Sequence, residues 1–395
     1  MERGAWTRLA ACTGAAALLQ IDGTLITVAL PSVARGLHVS GASTSVVLSV
    51  YFATYALTLW PAGKLVDRIG PRKVALAGLV LFAAGAAGGA VAPSIAVLLL
   101  TRAVQGAAAG LVSPAALAGA ISGFPPERRG AALGIWGASA GMSNLIGPLL
   151  GGLLTVAFGW RADWWALVPL AAVALWAIAS QMPARTHGEP PSGGSILNET
   201  VIAASGVAAL TFAVMIGSFY LAEQYLQRRA GFSALGASAV LVLVALLVGA
   251  AAPLAGRLVD ARGERAPAML GFAGTALGLG LLGIHGFPLS GWVTILPLIP
   301  IGLGLGLLFV PASRAALNAT PRSLHGRTSA LLSVGRLVGA GAGAGLAGIA
   351  LTGGAQASTV HTALLVGCAV CVLIGLPLAM LLSAPVAELG PQSVG

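Results

Sequence analysis

Charge is what this sequence lacks. Only 8% of its 395 residues are Asp, Glu, Lys or Arg. A soluble globular domain carries roughly 25%, so water is not the main solvent of this chain. Cysteine is scarce too. Cys12, Cys368 and Cys371 all fall inside apolar runs, which excludes a disulfide scaffold. The Cys-x-x-Cys at 368–371 reads as two small side chains in a lipid-embedded helix, because redox and metal sites need exposed thiolates. His38, His187, His285, His325 and His361 lie in loops or at the ends of apolar runs. They form neither a metal set nor a proton relay. No His/Asp/Glu or Ser/His group gathers at one depth, so neither an enzyme nor a cofactor is expected. Acids are outnumbered 11 to 21, giving a net charge of +10. The basic residues are scattered through short loops rather than along one face, so nucleic acid is not an expected partner.

What the sequence has is apolar length. Residues of the hydrophobic class make up 57%, and breaks at charged, Pro and Gly clusters leave twelve runs. They lie near 9–31, 44–63, 74–92, 95–120, 130–156 and 162–181, then 200–225, 234–256, 267–285, 290–313, 328–352 and 360–384. Most exceed the ~20 residues that cross a bilayer core. The N-terminus resembles a signal peptide, but its run continues past Asp22 to Pro31 without a small-x-small site, so it reads as the first span. One stretch, 182–199, is polar and rich in Pro, Gly and Ser. It divides the chain into a six-span unit at 1–181, a cytoplasmic linker and a six-span unit at 200–395. With both termini inside, the inner loops hold most of the cations, among them Lys64, Arg68, Arg72, Lys73, Arg128, Arg129, Arg257 and Arg262. The outer loops hold only Arg35, Arg161, Arg228 and Arg229. That bias obeys the positive-inside rule. Trp160, Trp164 and Trp165 fall at an outer boundary, where interfacial anchors are expected.

The two units echo each other. GKLVDRIGPRK at 63–73 returns as GRLVDARGERA at 256–266, each after the second span of its unit. Gly63, Leu65, Val66, Asp67, Gly70 and Arg72 recur at Gly256, Leu258, Val259, Asp260, Gly263 and Arg265. Duplicated six-span units that rock about a central site are a known transporter plan.

These residues resemble the major facilitator superfamily, and within it the drug:proton antiporters. Gly63, Asp67, Arg68, Gly70 and Arg72 match the superfamily's loop motif, which the resemblance makes a conformational gate with Asp260 as its echo. Asp260 is expected to contribute less, since Ala261 stands where the first loop has Arg68. The fourth span, LLLTRAVQGAAAG, resembles the family's arginine motif, with Arg102 followed by Gln105 and Gly106. The fifth resembles the antiporter motif through Gly134, Gly147, Pro148, Gly151 and Gly152, with Ser143 in place of a glycine. The first, IDGTLITVALP at 21–31, resembles a motif of the fourteen-helix drug antiporters, yet only twelve spans are counted. The resemblance implies an all-α major facilitator fold of twelve helices in two pseudo-symmetric halves. It also implies proton-coupled export of a small hydrophobic or amphipathic compound by alternating access. The alternatives are a metabolite or siderophore exporter, a proton symporter of the same superfamily, or a substrate-free membrane sensor or scaffold.

Asp22 is the one carboxylate well inside a span. It lies nine residues before Pro31, and Arg102 lies nine after Pro93 on an antiparallel run, so both sit about 13 Å below the outer boundary. Loss of water disfavours the charged carboxylate, while a nearby guanidinium favours it. Asp22 and Arg102 are therefore the proton-coupling candidates. Gln105, Glu223, Gln227 and Arg336 are candidates for lining a cavity. The expected partners are a small-molecule substrate, protons and the lipid bilayer, for a monomer in the bacterial cytoplasmic (inner) membrane. Cysteines placed in 182–199 and after 385, with the native three replaced, should both be shielded from impermeant thiol reagents in intact cells. Labelling of either from outside would invert the orientation.

Overall fold

Hydrocarbon offers no partner for a backbone N–H or C=O, so apolar runs of this length close their hydrogen bonds internally, as helices. The computed structural model describes residues 2–39, 41–184, 195–228, 234–285, 296–351 and 357–382. The first unit comprises α1 (Glu2–Gly36), α2 (Gly41–Ile69), α3 (Pro71–Ala90), α4 (Ile95–Ile121), α5 (Arg129–Phe158) and α6 (Arg161–Gln181). The second comprises α7 (Glu199–Arg228), α8 (Ala234–Arg262), α9 (Arg265–His285), α10 (Leu298–Asn318), α11 (His325–Ala350) and α12 (Ala357–Val370). The last helix passes through a π-helical turn, Cys371–Gly375, into α13 (Leu376–Met380). Pro377, just beyond, has no N–H to give the preceding turn, which accounts for the wider winding. Among the described residues eleven helices are long and apolar enough to cross a membrane. The 30-residue α5 is the twelfth.

The surface is apolar where a soluble protein's would be polar. Leu57, Leu153, Val156, Trp176, Ile284 and Leu373 are all exposed, as side chains facing acyl chains should be. Helices therefore associate through close packing rather than by expelling water, and small residues carry the contacts. One buried apolar cluster runs from Ala5 to Met182 and a second from Val201 to Leu382. A third, smaller one joins Leu117, Ile121 and Leu133 to Ala255, Val259, Val310 and Leu317. In the second unit Gly335, Gly339 and Gly343 set α11 directly on the carbonyls of Ser205, Ala209 and Ala213 of α7.

Three expectations change. The first helix does not stop at Pro31 but runs through it to Gly36. A proline this near the end removes one hydrogen bond and leaves the rest of the ladder intact. Trp160 and Trp164 are not interfacial anchors. Both are buried, edge to face with centroids 5.5 Å apart, and each fills the gap left by a glycine, Gly36 and Gly89 respectively. Only Trp165 is exposed. The tenth helix begins at Leu298 rather than at 290; residues 286–295 lie outside the described residues, as do 185–194 of the expected linker and everything after 382.

The glycines of α11 provide a paired test. A Cβ on Gly343 would collide with the Ala213 carbonyl, whereas one on Gly345 meets nothing within 4 Å. Gly343→Ala should cost about 1–3 kcal/mol, while Gly345→Ala should stay within about 1 kcal/mol of wild type or gain slightly. Thermal unfolding of the purified protein in detergent measures both.

Candidate functional site

The acid and the base found on separate runs meet. The Arg102 Nη1 donates to Asp22 Oδ1 at 2.8 Å and Oδ2 at 3.0 Å, and to Gln105 Oε1 at 3.1 Å. Asp22 and Arg102 are fully buried. The guanidinium lies 4.2 Å from the centroid of the Tyr51 ring, and the Tyr51 hydroxyl donates to the Leu19 carbonyl at 3.4 Å. An ion pair kept from water needs such supplementary contacts, because mutual attraction alone rarely offsets desolvation. Packing places the partners. Gly106, one turn beyond Arg102, seats α4 on the Tyr51 carbonyl and Thr54 of α2, and Gly85 of α3 packs on Gln105.

The small residues of α5 divide into two sets. A Cβ on Gly134 would stand 2.9 Å from the Ala252 carbonyl of α8, and Gly137 also faces Ala252. Gly147 and Gly151 instead face α1, at Thr24 and at the Leu25 carbonyl, within three residues of Asp22. Pro148 sits within the second set, next to Gly147 inside the helix, where its missing N–H weakens the ladder and allows bending. Gly152 meets only Val28 at 3.9 Å, and the Ser143 hydroxyl is spent on the Ser139 carbonyl. One helix thus bears on the opposite unit at its start and on the helix of Asp22 at its end.

Both repeated loops lie on one face of the bundle, the motif face, and each carboxylate there grips the other unit. Asp67, near the end of α2, accepts the Gly326 N–H at 2.7 Å and the Arg327 N–H at 3.3 Å, and pairs with Arg327 Nε at 2.9 Å. Gly326 and Arg327 begin α11. Asp260, near the end of α8, accepts the Gly130 N–H at 2.9 Å and the Ala131 N–H at 2.8 Å, where α5 begins. A helix start presents unpaired N–H groups and the positive end of the dipole, so a carboxylate suits it. Gly63 and Gly256 make room for these approaches, each facing the backbone of the opposing helix start. Gly70 and Gly263 hold φ of 88° and 77°, a left-handed turn that glycine adopts without strain. Arg72 ties the first loop to α6 through the Ala179 carbonyl at 2.8 Å.

A profile described as Major Facilitator Superfamily matches residues 12–344. The chain belongs to the major facilitator superfamily. An uncharacterized MFS-type transporter of Mycobacterium tuberculosis is 35% identical over 185 residues, 47% of this chain and 32% of that relative. The multidrug resistance protein Stp of the same species is 26% identical over 85% of this chain and 73% of its own length. The puromycin resistance protein of Streptomyces alboniger is 30% identical over 86% and 67%. The chain thus spans about a third of the first of these relatives and two thirds or more of the other two. Among solved structures, the proton:xylose symporter XylE matches with a TM-score of 0.78 at 14% identity, covering 94% of this chain and 95% of that one. At that identity the likeness concerns the fold.

The cation paired with Asp67 is Arg327 of the opposite unit rather than Arg68, so the lack of an Arg68 counterpart does not set Asp260 apart. Asp260 has its own in Arg314 of α10, at 3.4 Å. Arg314 also pairs with Glu264 at 2.8 Å and donates to the Pro126 and Val259 carbonyls, each at 3.3 Å. Arg129 donates to the Asn318 side chain at 2.7 Å. Sequence reasoning named neither Arg314 nor Arg327 as these cations, nor which helix starts are gripped, although a second repeat marks the two starts. Pro125 and Gly130 recur at Pro321 and Gly326, each pair enclosing a 3-10 turn before its helix. Arg336 reaches Ser313 Oγ at 2.6 Å, far from Asp22 in the bonding network. The side chains of Glu223 and Gln227 lie outside the described residues. Two apolar cavities, about 630 Å³ between α7, α11 and α12 and about 500 Å³ between α1 and α6, hold none of the candidate charges.

Asp67→Asn and Asp260→Asn should each lower transport about tenfold or more at similar expression, since either amide loses an ion pair and turns a donor toward N–H groups. Vesicle flux beside membrane abundance measures this. Impairment of Asp67→Asn alone would return the first loop to sole control.

Proposed function

We propose that the protein is a proton-driven exporter of a small hydrophobic or amphipathic compound, working by alternating access in the bacterial cytoplasmic membrane with both termini inside. The observation that carries this reading is the Asp22–Arg102 pair. A fully buried carboxylate and guanidinium on different helices form a site whose net charge changes when one proton arrives. Such a site persists inside a membrane only where a partner or a task retains it.

The geometry supports a route from that proton to the gates. Neutralising Asp22 removes the attraction that holds α1 to Arg102 of α4. The same turn of α1 rests on Gly147 and Gly151 of α5, and the start of α5 is held by Asp260 of the other unit. A shift of α1 therefore loads the helix whose start is one of the two clamps. The six-helix units, 1–181 and 200–395 about the 182–199 linker, are the rocking bodies, and Asp67 and Asp260 are the contacts that break and re-form. One chain holds both clamps and the acid pair, so a monomer suffices. Relatives whose names refer to multidrug, puromycin and tetracenomycin resistance favour outward movement of a foreign or toxic compound over uptake of a nutrient.

Asp22→Asn keeps size and hydrogen-bonding capacity and removes only the charge. Binding and downhill exchange should survive in that variant, while accumulation against a gradient falls by about tenfold or more. Arg102→Ala should uncouple as well. Arg102→Lys should recover part of the activity, since an ammonium does not reproduce the guanidinium fork. The assay is uphill movement in proteoliposomes under an imposed pH gradient, beside affinity for the same compound. Wild-type accumulation by Asp22→Asn would place the proton elsewhere.

A further inference from the structure

Three charged side chains lie deep in the described spans, and they do not cancel. Asp22 neutralises Arg102, which leaves Arg336, eleven residues into α11 and about 16 Å from its start. Among the described residues no carboxylate comes within ion-pair distance of Arg336, whereas Arg102, Arg314 and Arg327 each have one. Its one hydrogen bond among described residues goes to Ser313 Oγ. A guanidinium carries five N–H donors in a planar fork. An uncompensated cation at this depth is costly unless something negative or aqueous answers it.

The surroundings of Arg336 are those of a binding site rather than of a structural tie. It stands where α11 meets α10, α7, α2 and α4. Ser333, one turn back, lies 3.4 Å from Ser113 of the opposite unit, and Tyr55 of α2 faces both Arg336 and Ser113. Phe212 lies with its centroid 5.9 Å from the guanidinium and 5.5 Å from that of Phe309. Hydroxyls and a cation converge beside two aromatic rings. The close glycine contacts between units, at Gly130, Gly134, Gly137, Gly63 and Gly326, lie on the motif-face side of this level. Arg336 is itself half-buried, not sealed.

We propose that Arg336 receives an acidic group of the transported compound, so that the cargo is an amphipathic anion, a carboxylate or ionised phenol on an apolar ring system. Ser313, Ser113, Ser333 and Tyr55 supply further hydrogen bonds, and Phe212 and Phe309 take the apolar body. This rests on the exporter reading above and adds the charge of the cargo to it. The site also has a physical link to the acid pair. Tyr55 and Tyr51 are one turn apart on α2 with centroids 6.1 Å apart, and Tyr51 stacks on Arg102.

The test uses three probes of one shape, 9-anthracenecarboxylate, its methyl ester and 9-(aminomethyl)anthracene, by equilibrium dialysis against the reconstituted full chain at neutral pH. The anion should bind about tenfold more tightly than the ester or the cation, the worth of one charge-assisted hydrogen bond. Arg336→Gln, its fold checked by thermal unfolding in detergent, should lose about tenfold in anion affinity and with it that preference. Arg336→Lys should keep part of it. A preference that persists in Arg336→Gln, or a wild type with none, overturns the proposal; the wild-type comparison stands even if Arg336→Gln does not fold. Uphill export of the ester or the amine without anion preference would sink this inference alone. Anion preference without uphill movement of any probe would sink the exporter reading alone.

Discussion

A charge removed from water must be answered nearby, and in a bilayer the answer has to come from another helix. That constraint organises the first unit. Asp22 and Arg102 satisfy each other only if α1 and α4 are neighbours at equal depth. Tyr51 completes the arrangement only if α2 lies against α4, which Gly106 permits. Gly147 and Gly151 then bring α5 against the same turn of α1. The small residues do not hold the charges themselves. They set the distances at which the charges can meet, since helices in lipid associate by shape.

The same economy recurs at the motif face. A helix start offers N–H groups with no partner in the helix, and a carboxylate from the opposite unit satisfies two of them at once. Because the chain is duplicated, this contact occurs twice, Asp67 on α11 and Asp260 on α5. Each clamped helix continues inward to a charge: α11 carries Arg336, and α5 supports α1 beside Asp22. Continuous helix bridges each clamp and its charge, with Pro148 the weak point of the α5 ladder.

Much of this was readable without coordinates because membranes impose simple rules. Span length, cation bias and the doubled GKLVDRIG pattern required only counting, and the shared depth of Asp22 and Arg102 followed from helical rise. What could not be read depended on which side chain fills which gap. Trp160 and Trp164 sit at a helix boundary by number, but Gly36 and Gly89 open room for them indoors. Pro31 looked like an end because proline usually is one, yet a helix spared a single bond continues. An aspartate at a helix end calls for a helix start and a cation nearby, but only packing says which. Both helix starts come from the opposite unit, while the cation is Arg327 of that unit for Asp67 and Arg314 of its own unit for Asp260. The Pro125–Gly130 and Pro321–Gly326 echo pointed to the two starts, and its weakness as a pattern hid it. The π-turn at Cys371–Gly375 had only Pro377 to announce it.

Duplication explains the clamps but not the chemistry between them. The two clamps are near copies, with the same glycine, the same aspartate and the same helix start, which suits the proposed rocking of the units about a shared axis. The deep charges are not copies. The first unit holds an acid and a base that neutralise each other, and the second holds a base with no acid of its own among the described residues. A symmetric hinge around an asymmetric centre has a physical logic. The hinge needs both states to be nearly equal in energy, which repeated contacts supply. In the proposed mechanism the centre binds a proton and a cargo at different groups, which requires that the repeats diverge where they meet.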